Sequence, residues 1–265
     1  MKIGLIGGGA MSEAIIRGVL ASSVTKPENI TVSDPVDQRR KTLRDMYSVA
    51  ATSANDEVVK NADTIIIAVK PQTLDEALKP LSGHLNAKKV VVSIAAGIRI
   101  ERVRNILKHD QVIRVMPNTP AQIGMGMSVW TAATDTTEGQ KHQAQTILAA
   151  LGKEMYVDTE RFIDMATAVS GSGPAYVLLF IESFIDAAVN VGLPREQAHE
   201  MVLQTLSGTT ELLAQSNEHP ANLRNMVTSP GGTTADALQA LEEGGMRASL
   251  TIAVQRAFEK SLSLG

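Results

Sequence analysis

Short apolar runs alternate with amphipathic segments through the first 158 residues of the chain. The runs lie at residues 2–6, 30–33, 64–69, 90–94, 112–115, 126–130 and 155–157. Near-continuous apolar strands separated by helices are typical of a parallel sheet that is buried on both faces. The pattern therefore predicts an α/β domain over residues 1–158, with a doubly wound and mainly parallel sheet of the Rossmann type.

From residue 159 onward the apolar positions recur with the period of a helix. One set keeps the spacing i, i+3, i+4, i+7: Ile181, Phe184, Ile185 and Ala188. Further helices are expected near residues 193–213, 220–227, 233–243 and 247–262, which predicts an all-α domain over residues 159–265. The helix from Gly173 is apolar on nearly all sides at its start. About a hundred helical residues can bury only a small hydrophobic core on their own. We therefore predict a homodimer formed through this half.

A glycine-rich turn, residues 7–12, joins the first strand to the first helix. Strand, glycine turn and helix in this order form the context of a dinucleotide fingerprint. Gly7 permits a tight turn, and Gly9 lets the backbone approach a pyrophosphate at the helix N-terminus. The third position of the motif, normally Gly or Ala, is Ser12 here. The predicted cofactor contacts in this stretch are Ile6, Gly7, Gly8, Gly9, Ala10 and Met11.

The ends of the other strands complete a predicted cofactor groove, because ligands of parallel sheets bind beyond the carboxyl ends of the strands. Asp34 ends the second strand, where an acid commonly accepts hydrogen bonds from the adenosine ribose and favours NADH. Arg39 and Arg40 follow and could instead pair with the 2′-phosphate of NADPH, the plain alternative being that both lie on a solvated helix face. These signals conflict, so the sequence favours use of NADH without excluding NADPH. The further predicted groove residues are Ala68, Val69, Lys70, Pro71, Ala95 and Ala96.

A second turn, residues 229–234, precedes a helix in the C-terminal half. Unpaired amides and the helix dipole attract an anion to such a helix start. The hydroxyls of Ser229, Thr233 and Thr234 add donors, so a small carboxylate or phosphate would fit. The plain alternative is a capped helix start, with Thr233 or Thr234 as the N-cap.

Composition excludes several classes of partner. The formal net charge is −3, and no dense Lys/Arg run marks a nucleic-acid surface. Cys is absent and the five histidines are scattered, so we expect no disulfide and no metal site. The longest apolar stretch, residues 174–181, is short for a membrane span, and the first strand leaves no room for a signal peptide. We expect a cytoplasmic protein without a membrane or nucleic-acid partner.

A nicotinamide groove and an anion pocket without an evident His or Lys acid–base group favour reduction of an imine. A ketone needs a proton donor as the alkoxide forms, whereas a protonated imine accepts hydride and leaves a neutral amine. The hydroxyl of Thr234 would suffice to orient the nitrogen. Neither a Gly-x-Ser-x-Gly motif nor a phosphate-binding Walker loop is present.

The motifs together resemble those of the pyrroline-5-carboxylate reductases. The resemblance lies in residues 7–11, 68–71, 93–97, 116–120, 170–176 and 227–238, and it spans the whole chain. It implies reduction of 1-pyrroline-5-carboxylate to L-proline by NADH or NADPH, the last step of proline biosynthesis. It also implies an N-terminal Rossmann domain and a helical dimerisation domain, with some members forming a decamer of five dimers.

Carried over by position, the resemblance implies roles for individual residues. Thr234 faces the ring nitrogen as the catalytic residue, Asn55 contacts the adenosine end of the cofactor, and Glu160 lies near the substrate. The substrate carboxylate is held by Ser229, Gly231, Gly232, Thr233 and Thr234. Two alternatives stay open: a β-hydroxyacid dehydrogenase and a non-catalytic nucleotide sensor. The first needs a lysine on the helix from Gly173, which contains none.

Overall fold

The computed structural model describes residues 1–264, which divide into two compact units. The first unit is Met1–Pro174 together with the end of the chain from Arg256, and the second is Ala175–Gln255. The first contains the sheet, and the second consists of helices.

The first unit contains an eight-stranded sheet in the order β3-β2-β1-β4-β5-β6-β7-β8. Its strands are β1 (Ile3–Ile6), β2 (Ile30–Ser33), β3 (Ala50–Thr52), β4 (Thr64–Ile67), β5 (Val90–Ser93), β6 (Val112–Met116), β7 (Gly126–Ala132) and β8 (Gly152–Tyr156). Strands β1 to β6 are parallel, β7 is antiparallel to β6, and β8 is parallel to β7. The predicted fold class, a doubly wound and mainly parallel sheet, is confirmed.

Helices connect these strands, and a further helix follows β8: α1 (Ala10–Ala21), α2 (Asp37–Tyr47), α3 (Asn55–Asn61), α4 (Leu74–Leu78), α5 (Ile100–Leu107), α6 (Glu138–Ala149) and, after β8, α7 (Glu160–Ala166). The apolar strands separate two clusters of buried side chains. One includes Ile15 and Ile16 of α1 with Leu148 of α6, and the other includes Val58 and Val103 of α3 and α5. Burial on both faces explains why the central strands read as continuous apolar runs.

The second unit is built from α8 (Gly173–Asn190), α9 (Arg195–Ser216), α10 (Pro220–Met226), α11 (Thr233–Glu243) and α12 (Met246–Leu264), whose last residues belong to the first unit. Within it, Ile185, Ala198 and Val202 form only a small buried cluster. Many apolar side chains of α8 are exposed in the single chain, including Leu178 at 65% and Leu179 at 64%. The segment Glu160–Asn190 is also long and apolar enough to cross a membrane, by length and composition only.

The chain passes from the first compact unit to the second between Pro174 and Ala175, which is further along the chain than the domain boundary predicted near Asp158. Helix α7 belongs to the first unit, where Arg114 of β6 forms ion pairs with Glu160 and Asp164. The π-helical segment Thr167–Gly171 also belongs to the first unit and leads into α8. The boundary at residue 158 stays a prediction about how the chain divides into domains.

Candidate active site

Strand register places the predicted cofactor residues along one edge of the sheet. Ile6 at the end of β1 is paired with Ser33 of β2 and with Ile67 of β4, and Ile67 is paired with Ser93 of β5. The stretches that follow these four strands therefore begin at the same edge. They contain the predicted residues Gly7, Gly8, Gly9, Ala10, Met11, Asp34, Ala68, Val69, Lys70, Pro71, Ala95 and Ala96.

The glycine turn begins in a conformation that favours glycine. Gly7 has φ +96°, and a Cβ added there would lie 2.9 Å from Ala68 O. Ser12, the departure from the usual fingerprint, is fully buried, and its Oγ donates to Gly7 O at 2.5 Å. The serine hydroxyl thus fixes the carbonyl that opens the turn, which explains how a polar residue is accommodated between helix and strand.

The outer side of the turn is open. Gly9 is the N-cap of α1, and within the described chain no side chain caps this helix start. A Cβ added to Gly9 would meet no atom within 4 Å, and Gly9 and Ala10 are exposed. Unpaired amides facing open space at a helix N-terminus fit the pyrophosphate of a dinucleotide. The residues present therefore suit the predicted cofactor.

Asp34 supports this turn. Its Oδ2 accepts a hydrogen bond from Gly8 N and its Oδ1 one from Val36 N, each at 2.9 Å. Each carboxylate oxygen retains acceptor capacity, so a ribose hydroxyl can still bind there. The structure thus gives Asp34 a bond to the turn that sequence reasoning missed.

Both candidate arginines for a 2′-phosphate already have partners. Arg39 donates to Gly8 O and forms an ion pair with Glu13 Oε2 at 2.5 Å. Arg40 donates to Asp34 O at 2.7 Å and pairs with Asp37 at 2.8 Å. Hydrogen bonding to Arg39 lowers the pKa of the Glu13 carboxyl below its ordinary value, with a further contribution from the Tyr47 hydroxyl.

Asn55, the predicted contact of the adenosine end, stands at the start of α3. Its Oδ1 accepts from Ser33 Oγ at 2.6 Å, and its Nδ2 donates to Ala77 O at 3.1 Å. The side chain therefore ties the end of β2 to α4. Its contact with a cofactor stays a prediction.

The second turn, in the helical unit, also leaves a helix start uncapped. Gly232, not Thr233 or Thr234, is the N-cap of α11, and no side chain accepts a hydrogen bond from this turn within residues 1–264. The alternative in which Thr233 or Thr234 is the N-cap is therefore wrong, because Thr233 is already the first helical residue. The first helical bond is donated by Ala235 N to Gly232 O at 2.9 Å, which leaves the Thr233 and Thr234 amides without helical acceptors.

Ser229 lies against this helix start. Gly232 N donates to Ser229 O at 3.0 Å, and a Cβ on Gly232 would overlap Ser229 Oγ. Gly231 has φ +66°, in the left-handed region that glycine adopts most readily. Two glycines are therefore needed to bring the hydroxyl and the free amides together, and these donors suit the predicted anion, whose binding here stays a prediction.

Glu160 lies in the sheet unit and is engaged there. Its Oε1 accepts from Arg114 Nη1 and from Ile100 N, each at 3.0 Å. These bonds fasten the start of α7 to β6 and α5. Sequence reasoning missed three pairs of residues that are far apart along the chain: Arg114 with Glu160, Arg39 with Glu13, and Tyr47 with Glu13. A role of Glu160 at the substrate stays a prediction.

Two family models match this chain, one in each of its sequence halves. The family model described as pyrroline-5-carboxylate reductase dimerisation matches residues 160–264, and the model described as NADP oxidoreductase, coenzyme F420-dependent, matches residues 2–97. The chain is 41% identical to a pyrroline-5-carboxylate reductase of Synechocystis, over 100% of this chain and 98% of the relative.

Two solved structures are similar over nearly their whole length. A pyrroline-5-carboxylate reductase from Coxiella burnetii aligns with a TM-score of 0.92 at 31% identity, covering 100% of this chain and 98% of the other. A pyrroline carboxylate reductase from Plasmodium falciparum, solved with NADP bound, aligns with a TM-score of 0.91 at 32% identity and the same coverage.

Proposed function

The chain belongs to the pyrroline-5-carboxylate reductase family, and on that premise we propose that it reduces 1-pyrroline-5-carboxylate to L-proline with NADH or NADPH. The observation that carries the proposal is the uncapped start of α11, which offers free amides beside Ser229 in a chain that also contains a dinucleotide turn. An oxidoreductase with a separate anion pocket needs a substrate that is both reducible and negatively charged.

The pocket at residues 229–234 suits a carboxylate. The amides of Thr233 and Thr234 point out of the first turn without helical acceptors, and the helix dipole adds positive potential there. Asp236 in the same turn is exposed, so solvent and salt screen its repulsion of a bound carboxylate. Hydrogen bonds between a carboxylate and backbone N–H groups are charge-assisted and therefore strong.

The strand-end groove of the sheet unit holds the dinucleotide in this proposal. The turn at residues 7–11 binds the pyrophosphate, Asp34 binds the adenosine ribose, and residues 68–71 and 95–96 line the path toward the nicotinamide. When bound, the reduced nicotinamide supplies the hydride. The Plasmodium falciparum relative, with NADP bound, supports this assignment of the groove.

The reaction places few demands on side chains. The carbon of the C=N bond gains a hydride, and the cationic nitrogen becomes a neutral secondary amine without a further proton donor. The protein's task is to hold the carboxylate and orient the nitrogen, for which we propose the Thr234 hydroxyl. Thr234 is half-buried at the second helical position of α11, where a threonine can present its hydroxyl beside its own free amide.

The exposed apolar residues of α8 support assembly as a homodimer. Only 11% of the apolar window in Glu160–Asn190 is buried within one chain, yet the dimerisation model covers this segment. We propose that a second copy covers it, so that the segment serves an interface and not a membrane, in a cytoplasmic enzyme. Assembly of five dimers into a decamer remains a further prediction from the family resemblance.

The proposal is tested by comparing two cyclic imines. Purified protein with NADH or NADPH should oxidise the cofactor when 1-pyrroline-5-carboxylate is added. It should act at least about 100-fold less efficiently on 1-pyrroline, which lacks the carboxylate. Equal activity on the two imines would refute the carboxylate pocket, and no oxidation of either cofactor with 1-pyrroline-5-carboxylate would refute the assigned reaction.

A further inference from the structure

Side chains hold three successive peptide groups of the glycine turn. Asp34 Oδ2 accepts from Gly8 N at 2.9 Å, which fixes the peptide between Gly7 and Gly8. Arg39 Nε donates to Gly8 O, and Arg39 Nη2 donates to Gly9 O at 3.3 Å. Arg39 therefore fixes the two peptides that follow.

These contacts determine where the next amides point. In a trans peptide the N–H and the C=O of the same unit point in opposite directions. With Gly8 O and Gly9 O directed toward Arg39, the N–H groups of Gly9 and Ala10 are directed away from it. A Cβ added to Gly9 would meet no atom within 4 Å, so there is open space beside this turn. Arg39 thus orients the Gly9 amide through Gly8 O, and it shares the orientation of the Ala10 amide with the helical bond from Glu13 N to Gly9 O at 3.0 Å.

Arg39 is itself held in place. Its Nη2 lies 2.5 Å from Glu13 Oε2, and their side chains are 25% and 19% exposed. Glu13 Oε1 accepts from the Tyr47 hydroxyl at 2.8 Å, and that hydroxyl accepts from Arg17 Nη2 at 3.2 Å. The charge of the Arg39 guanidinium is therefore balanced by the Glu13 carboxylate, which lies in α1, the helix that follows the turn.

We propose that Arg39 is a positioning residue that presents the amides of the glycine turn to the cofactor pyrophosphate, and that it is not a ligand of the adenosine 2′-phosphate. The inference rests on the dinucleotide site of the proposed function. Because NADH and NADPH share the pyrophosphate, Arg39 then contributes equally to the binding of both.

The test is a direct binding measurement that needs no turnover. Dissociation constants of NADH and NADPH are measured by calorimetry for the full chain without substrate, for the wild type, Arg39→Ala, Glu13→Gln and Arg44→Ala. Arg44→Ala is the matched control, since Arg44 lies on the same helix and its Nη1 donates to Ala51 O, outside the turn. We expect Arg39→Ala to raise both constants by the same factor, about tenfold for the loss of charge-assisted bonds, and Arg44→Ala to change neither.

Selective weakening of NADPH in Arg39→Ala would make Arg39 a 2′-phosphate ligand and overturn the proposal. Unchanged constants for both cofactors would overturn it as well. In Glu13→Gln, which keeps the shape of the side chain and serves if Arg39→Ala fails to fold, we expect a smaller and equal rise in both constants. Tighter binding of NADPH in that variant would show that a released Arg39 takes the 2′-phosphate, again against the proposal.

Steady-state kinetics separate positioning from a general loss of structure. At saturating NADH, kcat of Arg39→Ala should stay within about twofold of the wild type while KM rises, because the chemical step is untouched. A lower kcat at unchanged KM would contradict this. A wild type that binds neither nucleotide would overturn the dinucleotide site and this inference together, whereas binding without turnover would overturn the proposed reaction alone.

Discussion

Arg114 Nη2 lies 2.6 Å from Asp164 Oδ1, and each of the two side chains is 3% exposed. Arg114 projects from the buried strand β6, and its Nη1 also bonds to Glu160 at 3.0 Å. The second oxygen of Asp164 is buried without a hydrogen-bond partner, 3.9 Å from Arg99. One arginine therefore holds the start of the segment that the dimerisation model covers against the sheet.

Removal of this arginine should strongly destabilise the sheet unit. Arg114→Met leaves the Asp164 charge buried without its partner, which costs about 3–5 kcal/mol in the free energy of unfolding. Urea denaturation measures the loss. The matched control is Arg102→Met, whose ion pair with Asp75 is 50% and 42% exposed, and we expect it to lower the free energy of unfolding far less, because solvent screens an exposed pair. Equal losses in the two variants would contradict the assigned role of Arg114.

Thr234→Ala should lower turnover of 1-pyrroline-5-carboxylate by about 10²-fold, as expected for the loss of an oriented donor. Binding of the reduced cofactor should be unchanged, since the cofactor is assigned to the other unit. Thr209→Ala is the control: its hydroxyl donates to Thr205 O within α9, at 2.6 Å. Full activity of Thr234→Ala would show that the hydroxyl does not orient the substrate.

A charge on the exposed apolar face of α8 should break the dimer. Leu179 is 64% exposed in the single chain, and Leu179→Glu places a carboxylate where we propose that a second copy packs. Light scattering at micromolar concentration should report a dimer for the wild type and a monomer for the variant. Met46→Glu, at a site of 60% exposure on α2, should remain dimeric. A monomeric wild type would contradict the proposed interface.

His109 should make the stability of the sheet unit depend on pH. Burial lowers the pKa of His109 from 6.5, against smaller opposing effects of its bond to Lys89 O and the nearby Asp110. The unfolded chain then takes up a proton near its ordinary pKa, whereas the folded chain resists it. This contribution to stability is complete above pH 6.5 and is lost as the pH falls from there to the folded-state pKa.

The measurement compares the free energy of unfolding at about pH 7.5 and about pH 5.5, where histidine changes charge. His109→Gln removes the titrating group and should reduce the difference between the two values. His142→Gln, at an exposed position of α6, is the matched control for loss of a histidine side chain. An unchanged difference in His109→Gln would assign the pH dependence to other groups.

Apolar runs predicted the sheet well because its central strands are buried on both faces. Strand β3, at Ala50–Thr52, escaped prediction, since it is a short edge strand without a fully buried residue. The span of α11 was predicted correctly at residues 233–243, but the alternative with a threonine as its N-cap was wrong, because an extended glycine can precede a helix as readily as a threonine. Local sequence therefore predicts the N-cap residue of a helix only weakly.

The glycine motifs predicted both of the ligand sites that we propose, since a left-handed or close-packed turn restricts the residue type locally. The side chains that support the turn could not be predicted, because spacing along the chain carries no sign of their pairing. Arg39 reads as part of a solvated helix face until the fold brings it to Glu13, 26 positions earlier. The pairing of Glu160 could not be predicted from spacing either, because its partner Arg114 lies 46 positions away.

The central claim is that this chain reduces the C=N bond of 1-pyrroline-5-carboxylate. Its most direct test is the yield of proline, quantified by mass spectrometry against the reduced nicotinamide consumed in the same reaction. We expect one L-proline for each NADH or NADPH oxidised, and none when the cofactor is omitted. Oxidation of the cofactor without an equal yield of proline would contradict it.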